Sequence, residues 1–350
     1  MPTPPAPPPS PWGRTFGAVA LVTVVLAGML AAFALPQIHL GPLDVPIAVT
    51  GPKPAADRLT AQLQSDQPGA FEITNVADAA RARQLILDRE VYGAIVAGAP
   101  GPSLMIATAA SPAVADALKE LANRVDRRSA PRTTVTDVRP LPDDDPNGAG
   151  LSTGSLPLVL GGWLAAVIML LAVRGTSRRL VGAFAFAIVG GLALTAVEIF
   201  GFGAVDDGAY PLLSLSVALS LAATTWMILG LRSALGNPGL AAGAVLVILV
   251  GNPLSGLSSA PEMLPSGWST LGQLLPPGAG GTLLRSAAYF DGNGSAEAVL
   301  TLAGWIATGL AMFLLGERRA QNGGGQAAAE RTTKRTTTTT GGAAAPARSS

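Results

Sequence analysis

The strongest constraint on this chain is a series of long apolar runs that carry almost no charge. Five runs are close to the length of one bilayer crossing, at residues 16–35, 156–173, 180–200, 211–231 and 296–315. The hydrocarbon core is ~30 Å thick, so about 20 apolar residues cross it as an α-helix, which satisfies its own backbone in lipid. A sixth run, 240–256, is shorter and is interrupted by Asn252 and Pro253. The sequence therefore predicts an α-helical polytopic membrane protein with six transmembrane helices.

Composition supports this class and excludes several others. Hydrophobic residues make up 49% of the chain and charged residues 13%, which is too few charges to cover a soluble surface of this size. The formal net charge of +1 excludes a strongly basic nucleic-acid-binding protein. With no cysteine and a single histidine, His39, the chain offers no disulfide, no thiolate site and no His-rich metal centre. No cofactor is predicted.

The N-terminal segment has two interpretations. Residues 1–15 are rich in proline, which interrupts helices, and are predicted to be a disordered cytoplasmic N-terminus. The run 16–35 is predicted to be the first transmembrane helix. A cleaved signal peptide with Arg14 as its basic region is the alternative. The uncleaved anchor is favoured, because the apolar run is long for a signal peptide and no A-x-A site follows it.

Residues 36–155 have the composition of a soluble domain. Charged residues return there, and short apolar runs bounded by Gly, Pro and Asp predict strands at 45–49, 71–76, 91–97, 104–108 and 135–138. Helices are predicted between them, the clearest at 112–127 behind a Ser111-Pro112 start. A polar linker, 142–154, follows. The prediction is a small α/β domain inserted between the first two transmembrane helices.

The distribution of arginine predicts the orientation. Cytoplasmic loops of membrane proteins carry an excess of Lys and Arg. With a cytoplasmic N-terminus, six spans place these arginines inside: Arg14, Arg174, Arg178, Arg179, Arg232, Arg318 and Arg319. The same arrangement leaves Arg285 as the one basic residue on the outer side of the membrane domain. We therefore expect a bacterial inner-membrane protein with both termini in the cytoplasm, an extracytoplasmic domain at 36–155 and a disordered cytoplasmic tail at 317–350.

The segment 257–292 is too apolar for an ordinary loop and too broken by Pro and Gly for a span. Two short helices are predicted, at 265–275 and 278–289, with Pro276 and Pro277 at the turn between them. Irregular backbone at membrane depth is tolerated only against protein or water. A re-entrant outer hairpin is therefore predicted, with Pro276 and Pro277 as gate candidates. An amphipathic loop lying on the bundle is the alternative.

No catalytic motif is convincing. A phosphate-binding loop needs Gly-Lys-Ser/Thr, and none of Lys53, Lys119 and Lys334 follows a glycine. Residues 150–154 match the G-x-S-x-G nucleophile pattern, but they lie in the predicted linker, before a membrane span and far from the only histidine. The chain is therefore predicted not to be an enzyme.

Three charged residues in the membrane domain are candidates for a transport path or its gate: Glu198, Glu262 and Arg285. Glu198 is the acidic residue most deeply placed in a span, and an intramembrane carboxylate is a functional candidate by default. Its position near the end of the span equally fits a side chain that reaches the outer interface. Arg285 is predicted to pair with Glu198, Glu262 or Glu297, or to meet lipid headgroups.

The outer hairpin and one phrase of the domain carry a family resemblance. The residues concerned are Gly256, Pro261, Met263, Leu264, Pro265, Pro276, Pro277, Arg285 and the phrase EVYGAIVAG at 90–98. Residues 16–316 resemble the ABC-2 type export permeases, in the branch with a large extracytoplasmic domain that includes the phage-infection-protein-like membrane proteins. The resemblance implies a homodimer, export of an amphipathic or lipid-like substrate, and energy from a separate ATPase subunit.

Two departures from that family keep a second function open. The Pro-rich N-terminus cannot form the amphipathic helix common before the first span of the family. The loop that would meet an ATPase is short, with Arg174, Arg178 and Arg179 as candidate coupling residues. The alternative is a non-pumping receptor, scaffold or envelope-assembly factor that acts through its extracytoplasmic domain.

The predicted orientation can be tested with reporter fusions. A reporter joined after Gly101 should lie outside the cytoplasm, and one joined after Gly323 should lie inside. A phosphatase and a fluorescent protein that are active on opposite sides should therefore give opposite signals at the two positions. Equal signals would contradict a topology with an even number of spans.

Overall fold

The computed structural model describes residues 10–38, 40–98, 101–127 and 132–340, with only the backbone described beyond residue 319. Its elements in chain order are α1 (Trp12–Ile38), β1 (Val45–Thr50), α2 (Lys53–Asp66), β2 (Phe71–Asn75), α3 (Ala79–Leu87), β3 (Gly93–Val96), β4 (Ser103–Ile106), α4 (Pro112–Asp126), β5 (Thr134–Asp137), α5 (Ala149–Ala172), α6 (Thr176–Ala196), α7 (Tyr210–Leu235), α8 (Asn237–Ala244), α9 (Trp268–Gln273), α10 (Pro276–Tyr289) and α11 (Ala296–Thr340). Residues 1–9, which belong to the N-terminus predicted to be disordered, lie outside the described residues. The last ten residues lie outside them as well.

Five helices in the described part of the chain are long and apolar enough to cross a membrane: α1, α5, α6, α7 and α11. The prediction of a helical multi-pass membrane protein is confirmed at this level. The sixth predicted run forms a shorter apolar helix, Asn237–Gly251, made of α8 and the π-helical turn Val245–Gly251. At 1.5 Å per residue this helix is only about 22 Å long. It ends just before Asn252 and Pro253, which interrupt the run.

The predicted α/β domain contains a five-stranded mixed sheet in the order β2-β1-β3-β4-β5. Strands β1 and β3 are parallel, whereas β3 and β4 form the antiparallel pair that the sequence predicts. Strand β1 is almost fully buried, as expected for an apolar strand covered on both faces. Ser111 starts α4 as predicted, since its hydroxyl accepts a hydrogen bond from the Val114 amide at 3.2 Å.

The core of this domain extends into the outer hairpin. One face of the sheet packs on α2 and α4, through residues that include Ile47 and Leu118. The same apolar cluster contains Ala260 and Met263, which belong to the segment that follows α8. The α/β domain therefore shares its core with the membrane domain.

Helix α7 is the centre of the bundle. It is buried along most of its length, including Trp226, and it packs against α5, α6, α10 and α11. The backbones of α7 and α11 approach closely at Gly230, where an added Cβ would lie 2.6 Å from the carbonyl oxygen of Gly309. Small residues allow such contacts between membrane helices. Helix α1, by contrast, is exposed on nearly all sides, as expected for a helix that faces lipid.

Three predicted boundaries are wrong. The first helix begins at Trp12, so residues 12–15 are helical and do not belong to a disordered N-terminus. The polar linker 142–154 ends early, because α5 begins at Ala149, where the Asp145 carboxylate accepts hydrogen bonds from the Ala149 and Gly150 amides at 2.7 and 2.8 Å. The tail predicted to be disordered from 317 is helical to Thr340. No proline follows until residue 346, and extending an existing helix avoids the cost of nucleation.

Candidate functional site

Two interrupted helices meet inside the bundle. Helix α8 with its π-helical turn ends at Gly251, and α10 begins at Pro276. The two ends touch, since a Cβ added to Gly251 would lie 2.7 Å from Cγ of Pro277. Discontinuous helices that meet at membrane depth are a recurrent feature of transporter substrate sites.

Helix α10 lies inside the helix bundle. Its start lies beside the middle of α7, because a Cβ added to Gly280 would be 3.0 Å from the Ser220 hydroxyl oxygen. Ala279 and Leu283 form an apolar cluster with Ala223 of α7 and with α11. From Gly278 to Tyr289 almost every residue of the helix is buried. An amphipathic loop on the bundle surface is therefore excluded for α10.

The two prolines lie inside α10 and not in a gap between two helices. Pro276 and Pro277 are its first residues, and the short α9 ends at Gln273 before them. Proline suits this position because the first helical residues have no intrahelical acceptor for an amide hydrogen. The predicted turn is therefore shifted to Leu274 and Leu275.

Side chains satisfy the irregular backbone between the two interrupted helices. Arg285 Nη2 donates to the Leu257 carbonyl at 2.7 Å. Gln273 Nε2 donates to the Ser255 carbonyl at 3.1 Å, and Trp305 Nε1 donates to the Leu274 carbonyl at 2.8 Å. Unpaired backbone groups away from water are costly, so these donors allow the segment to leave helical geometry.

This role replaces the ion pair predicted for Arg285. The arginine is only 7% exposed, and within the described residues its guanidinium has no carboxylate within 4 Å. Neither Glu198 nor Glu297 contacts it. Glu262 lies in the same region but accepts a hydrogen bond from a different residue, Tyr92.

An apolar cavity of about 310 Å³ lies beside α10, between α5, α7 and the end of α6. Its walls are mostly aliphatic, and they include Leu158, Leu213, Val217 and Leu284. The carboxylate of Glu198 lines the same cavity. A largely apolar cavity with a few polar groups, here Thr153 and Glu198, is the usual form of a small-molecule site.

Glu198 is held in the π-helical turn Val197–Gly201 at the end of α6. Two glycines of α5 make room for it: a Cβ on Gly154 would lie 2.6 Å from its Oε1, and one on Gly150 would lie 3.2 Å from its Oε2. Oε2 is buried and has no hydrogen-bond partner among the described residues. A π-helical turn at this point is informative, because such turns occur frequently at functional sites.

The cavity continues toward the junction of the interrupted helices. A second, small space of about 20 Å³ shares Leu158 and Leu284 with it and reaches Asn252, Pro276 and Pro277. Among the predicted path and gate residues, Glu198 lines the larger space and Pro276 and Pro277 line the smaller one, whereas Arg285 and Glu262 line neither. Leu284, which lines both spaces, was not predicted, because a leucine in an apolar helix gives no distinguishing signal.

The α/β domain binds the C-terminal end of α10. Arg89 Nη1 donates to the Ser286 hydroxyl at 2.5 Å and to the Thr282 carbonyl at 3.1 Å, and its guanidinium lies 5.4 Å from the ring centroid of Phe290. On the other side, Arg139 Nε donates to the Tyr289 carbonyl. Arg89 adopts a left-handed backbone conformation with φ of 60°, which is uncommon for a residue other than glycine.

A second contact joins the domain to the segment before α9. The Tyr92 hydroxyl donates to Glu262 Oε2 at 2.7 Å, and Ser111 Oγ donates to the Ser259 carbonyl at 2.7 Å. Burial raises the pKa of Tyr92, and the Glu262 carboxylate raises it further, so the phenol stays a donor at neutral pH. Burial also lowers the pKa of Arg89, although an arginine remains charged at neutral pH.

The domain residues that bind α10 and the segment before α9, namely Arg89, Tyr92 and Arg139, were not predicted as site residues. Their partners lie far away along the chain, so no local spacing indicates the contact. One sequence signal was available: Tyr92 belongs to the EVYGAIVAG phrase, and Arg89 directly precedes it.

The predicted coupling residues lie together at the opposite end of the bundle. Arg174 is exposed in the turn between α5 and α6, and Arg178 is exposed in the first turn of α6. Arg179 is engaged in structure, because its Nε donates to the Val173 carbonyl at 2.8 Å and its Nη1 lies 3.6 Å from Glu317 Oε1. Of the three, only Arg174 and Arg178 present an exposed surface to a partner.

No group of three or more acidic or histidine side chains that could hold a metal ion occurs among the described residues. Comparison of the chain with models of known protein families, and with curated proteins, gives no match. The function is therefore argued from the geometry above and from the motifs of the outer hairpin.

The hydrogen bond between Tyr92 and Glu262 makes a testable contribution to stability. We expect Tyr92→Phe and Glu262→Gln each to lower the melting temperature of the purified full chain, because each leaves or weakens a partly buried polar partner. The melting temperature of the double variant should be little lower than that of the worse single variant. This corresponds to a coupling free energy of about 1–2 kcal/mol between the two side chains.

Tyr210 provides the control. Its hydroxyl donates to the Leu192 carbonyl at 3.1 Å, in a different part of the molecule. Tyr210→Phe combined with Glu262→Gln should therefore be additive. Additive losses for Tyr92→Phe and Glu262→Gln would show that the bond does not couple the two regions.

Proposed function

We propose that this protein is the membrane subunit of an ABC-2-like exporter that moves an amphipathic or lipid-like substrate outward. In this proposal the chain resides in a bacterial cell membrane with both termini in the cytoplasm. It acts as a homodimer, and a separate ATPase subunit supplies the energy.

The observation that carries the proposal is the apolar cavity that contains Glu198. Its aliphatic walls suit an alkyl chain, and the carboxylate offers one polar contact to a headgroup. The unpartnered oxygen of Glu198 leaves hydrogen-bonding capacity for a ligand, and a buried polar group without a partner is costly in a site with no other purpose.

The order of the elements agrees with this proposal. One span precedes the extracytoplasmic domain, and a short interrupted helix and a buried outer hairpin precede the last span, as the resemblance implies. Interrupted helices are less firmly held than continuous ones, since their ends depend on tertiary hydrogen bonds. Movement of α10 relative to α7 would change the shape of the cavity at Leu284.

One observation favours the alternative, a receptor, scaffold or envelope-assembly factor that does not pump. Only Val173, Arg174 and Gly175 separate α5 from α6, and Arg179 is bound to Glu317. This leaves a small surface for an ATPase, whereas Arg89 and Arg139 of the α/β domain both bind α10.

The test uses a deletion strain of the native host, so that any partner subunit is present. The deletion should raise sensitivity to at least one amphiphile among dodecyltrimethylammonium, dodecyl sulfate and lysophosphatidylcholine, and the wild-type gene should restore resistance. Leu284→Trp should not restore it, because the larger side chain fills the cavity, and Glu198→Gln should lower it.

Leu300→Trp is the matched control, since Leu300 is 73% exposed on the lipid-facing side of α11 and lies outside the cavity. It should restore resistance fully at an equal level of protein in the membrane. Full resistance with Leu284→Trp would contradict export through this cavity. If the deletion phenotype is instead restored by Leu284→Trp but not by a variant that loses the Arg89 contacts, the scaffold function is favoured.

A further inference from the structure

A second cavity, of about 450 Å³, lies at the opposite end of the bundle from the extracytoplasmic domain. The ends of α5 and α7, the middle of α11 at residues 313–317 and the start of α8 form its walls. Much of the lining is apolar and includes Leu171, Leu240 and Phe313. Arg232, in the last turn of α7, supplies a cationic group to the same space. The cavity therefore combines an aliphatic wall with a guanidinium.

The charge of Arg232 is not compensated within the described part of the protein. Glu317 also lines the cavity, but it is occupied: its Oε1 lies 3.6 Å from Arg179, and its Oε2 accepts a hydrogen bond from the Thr176 hydroxyl at 2.6 Å. Arg179 itself donates to the carbonyls that end α5. Among the described residues, Arg232 makes no side-chain hydrogen bond and no ion pair within 4 Å.

The surroundings reinforce this positive charge. Arg178 lies in the first turn of α6 directly before Arg179, and Arg318 and Arg319 follow Glu317 directly. A guanidinium binds a phosphate through two parallel hydrogen bonds, and basic pockets between membrane helices hold anionic headgroups. Leu171 is strongly exposed at the mouth of the cavity and offers a surface to an acyl chain.

We propose that this cavity binds an anionic phospholipid, with the phosphate held by Arg232 and an acyl chain packed along Leu171 and Leu240. The charge requires an anion, and the aliphatic wall favours a lipid over a free phosphate ion. The site is independent of the proposed export function and of the direction in which the protein faces.

The test measures thermal stability of the purified full chain in detergent with added lipid. Phosphatidylglycerol should raise the melting temperature of the wild type by about 2–5 °C, because a ligand that binds only the folded state stabilises it. Phosphatidylcholine should raise it clearly less. Arg232→Gln should reduce the phosphatidylglycerol shift to the phosphatidylcholine level, and Arg232→Lys should retain part of it.

Arg174→Gln is the matched control, because it removes the same charge from the same end at an exposed position outside the cavity; its phosphatidylglycerol shift should be unchanged. If Arg232→Gln does not fold, Leu240→Trp provides the second variant: it narrows the cavity, keeps the arginine and should lose the shift. A full shift in Arg232→Gln or Leu240→Trp, or an equal loss in Arg174→Gln, would overturn the proposal. An equal shift with glycerol 3-phosphate would also overturn it, in favour of a free phosphate site.

Discussion

The structure of the membrane domain depends on how the backbone between two interrupted helices is satisfied. Lipid offers no hydrogen bonds, so a chain that leaves helical geometry at membrane depth must find donors and acceptors in the protein. Arg285, Gln273 and Trp305 supply the donors for three of these carbonyls. The bundle can therefore contain a half-length helix, α10, whose neighbours are protein on nearly all sides.

This arrangement joins two parts of the protein that the sequence presents as separate. Helix α10 packs on α7 and α11 at one end and is held by Arg89 and Arg139 at the other. The core of the α/β domain includes Ala260 and Met263, which come from the segment before α9. A displacement of this domain would therefore act on α10, and through Leu284 on the cavity beside Glu198. This connection offers a physical route between an event outside the membrane and the proposed transport path.

Much of the fold could be predicted because its signals are local. Long apolar runs predicted the five long helices, and short apolar runs between turn residues predicted the strands of the sheet. The burial of α10 could not be predicted in the same way. Its sequence, PPGAGGTLLRSAAY, has small or apolar residues all around the helix and no polar face that would distinguish a buried helix from an interfacial one. The two prolines suggested a gap, yet the first turn of a helix accepts them.

The candidate site was predicted only in part, because only some of its residues carry a local sequence signal. Glu198 stood out as a carboxylate in a span, and the structure places it in a cavity. Arg285 also stood out, but its predicted ion pair was wrong, because its acceptor is a backbone carbonyl and sequence gives no sign of which carbonyls lack a partner. Arg89 and Tyr92 were missed, since their partners are distant along the chain.

Cysteine accessibility along the hairpin tests the central claim most directly, because the native chain has no cysteine. Single substitutions Ser266→Cys and Thr270→Cys, at exposed positions, should react rapidly with a membrane-impermeant thiol reagent added from the outside. Ala279→Cys and Ala287→Cys, at positions that are 0% and 2% exposed, should react only after unfolding. Rapid labelling at all four positions would show that α10 is an exposed loop segment and would contradict its place inside the bundle.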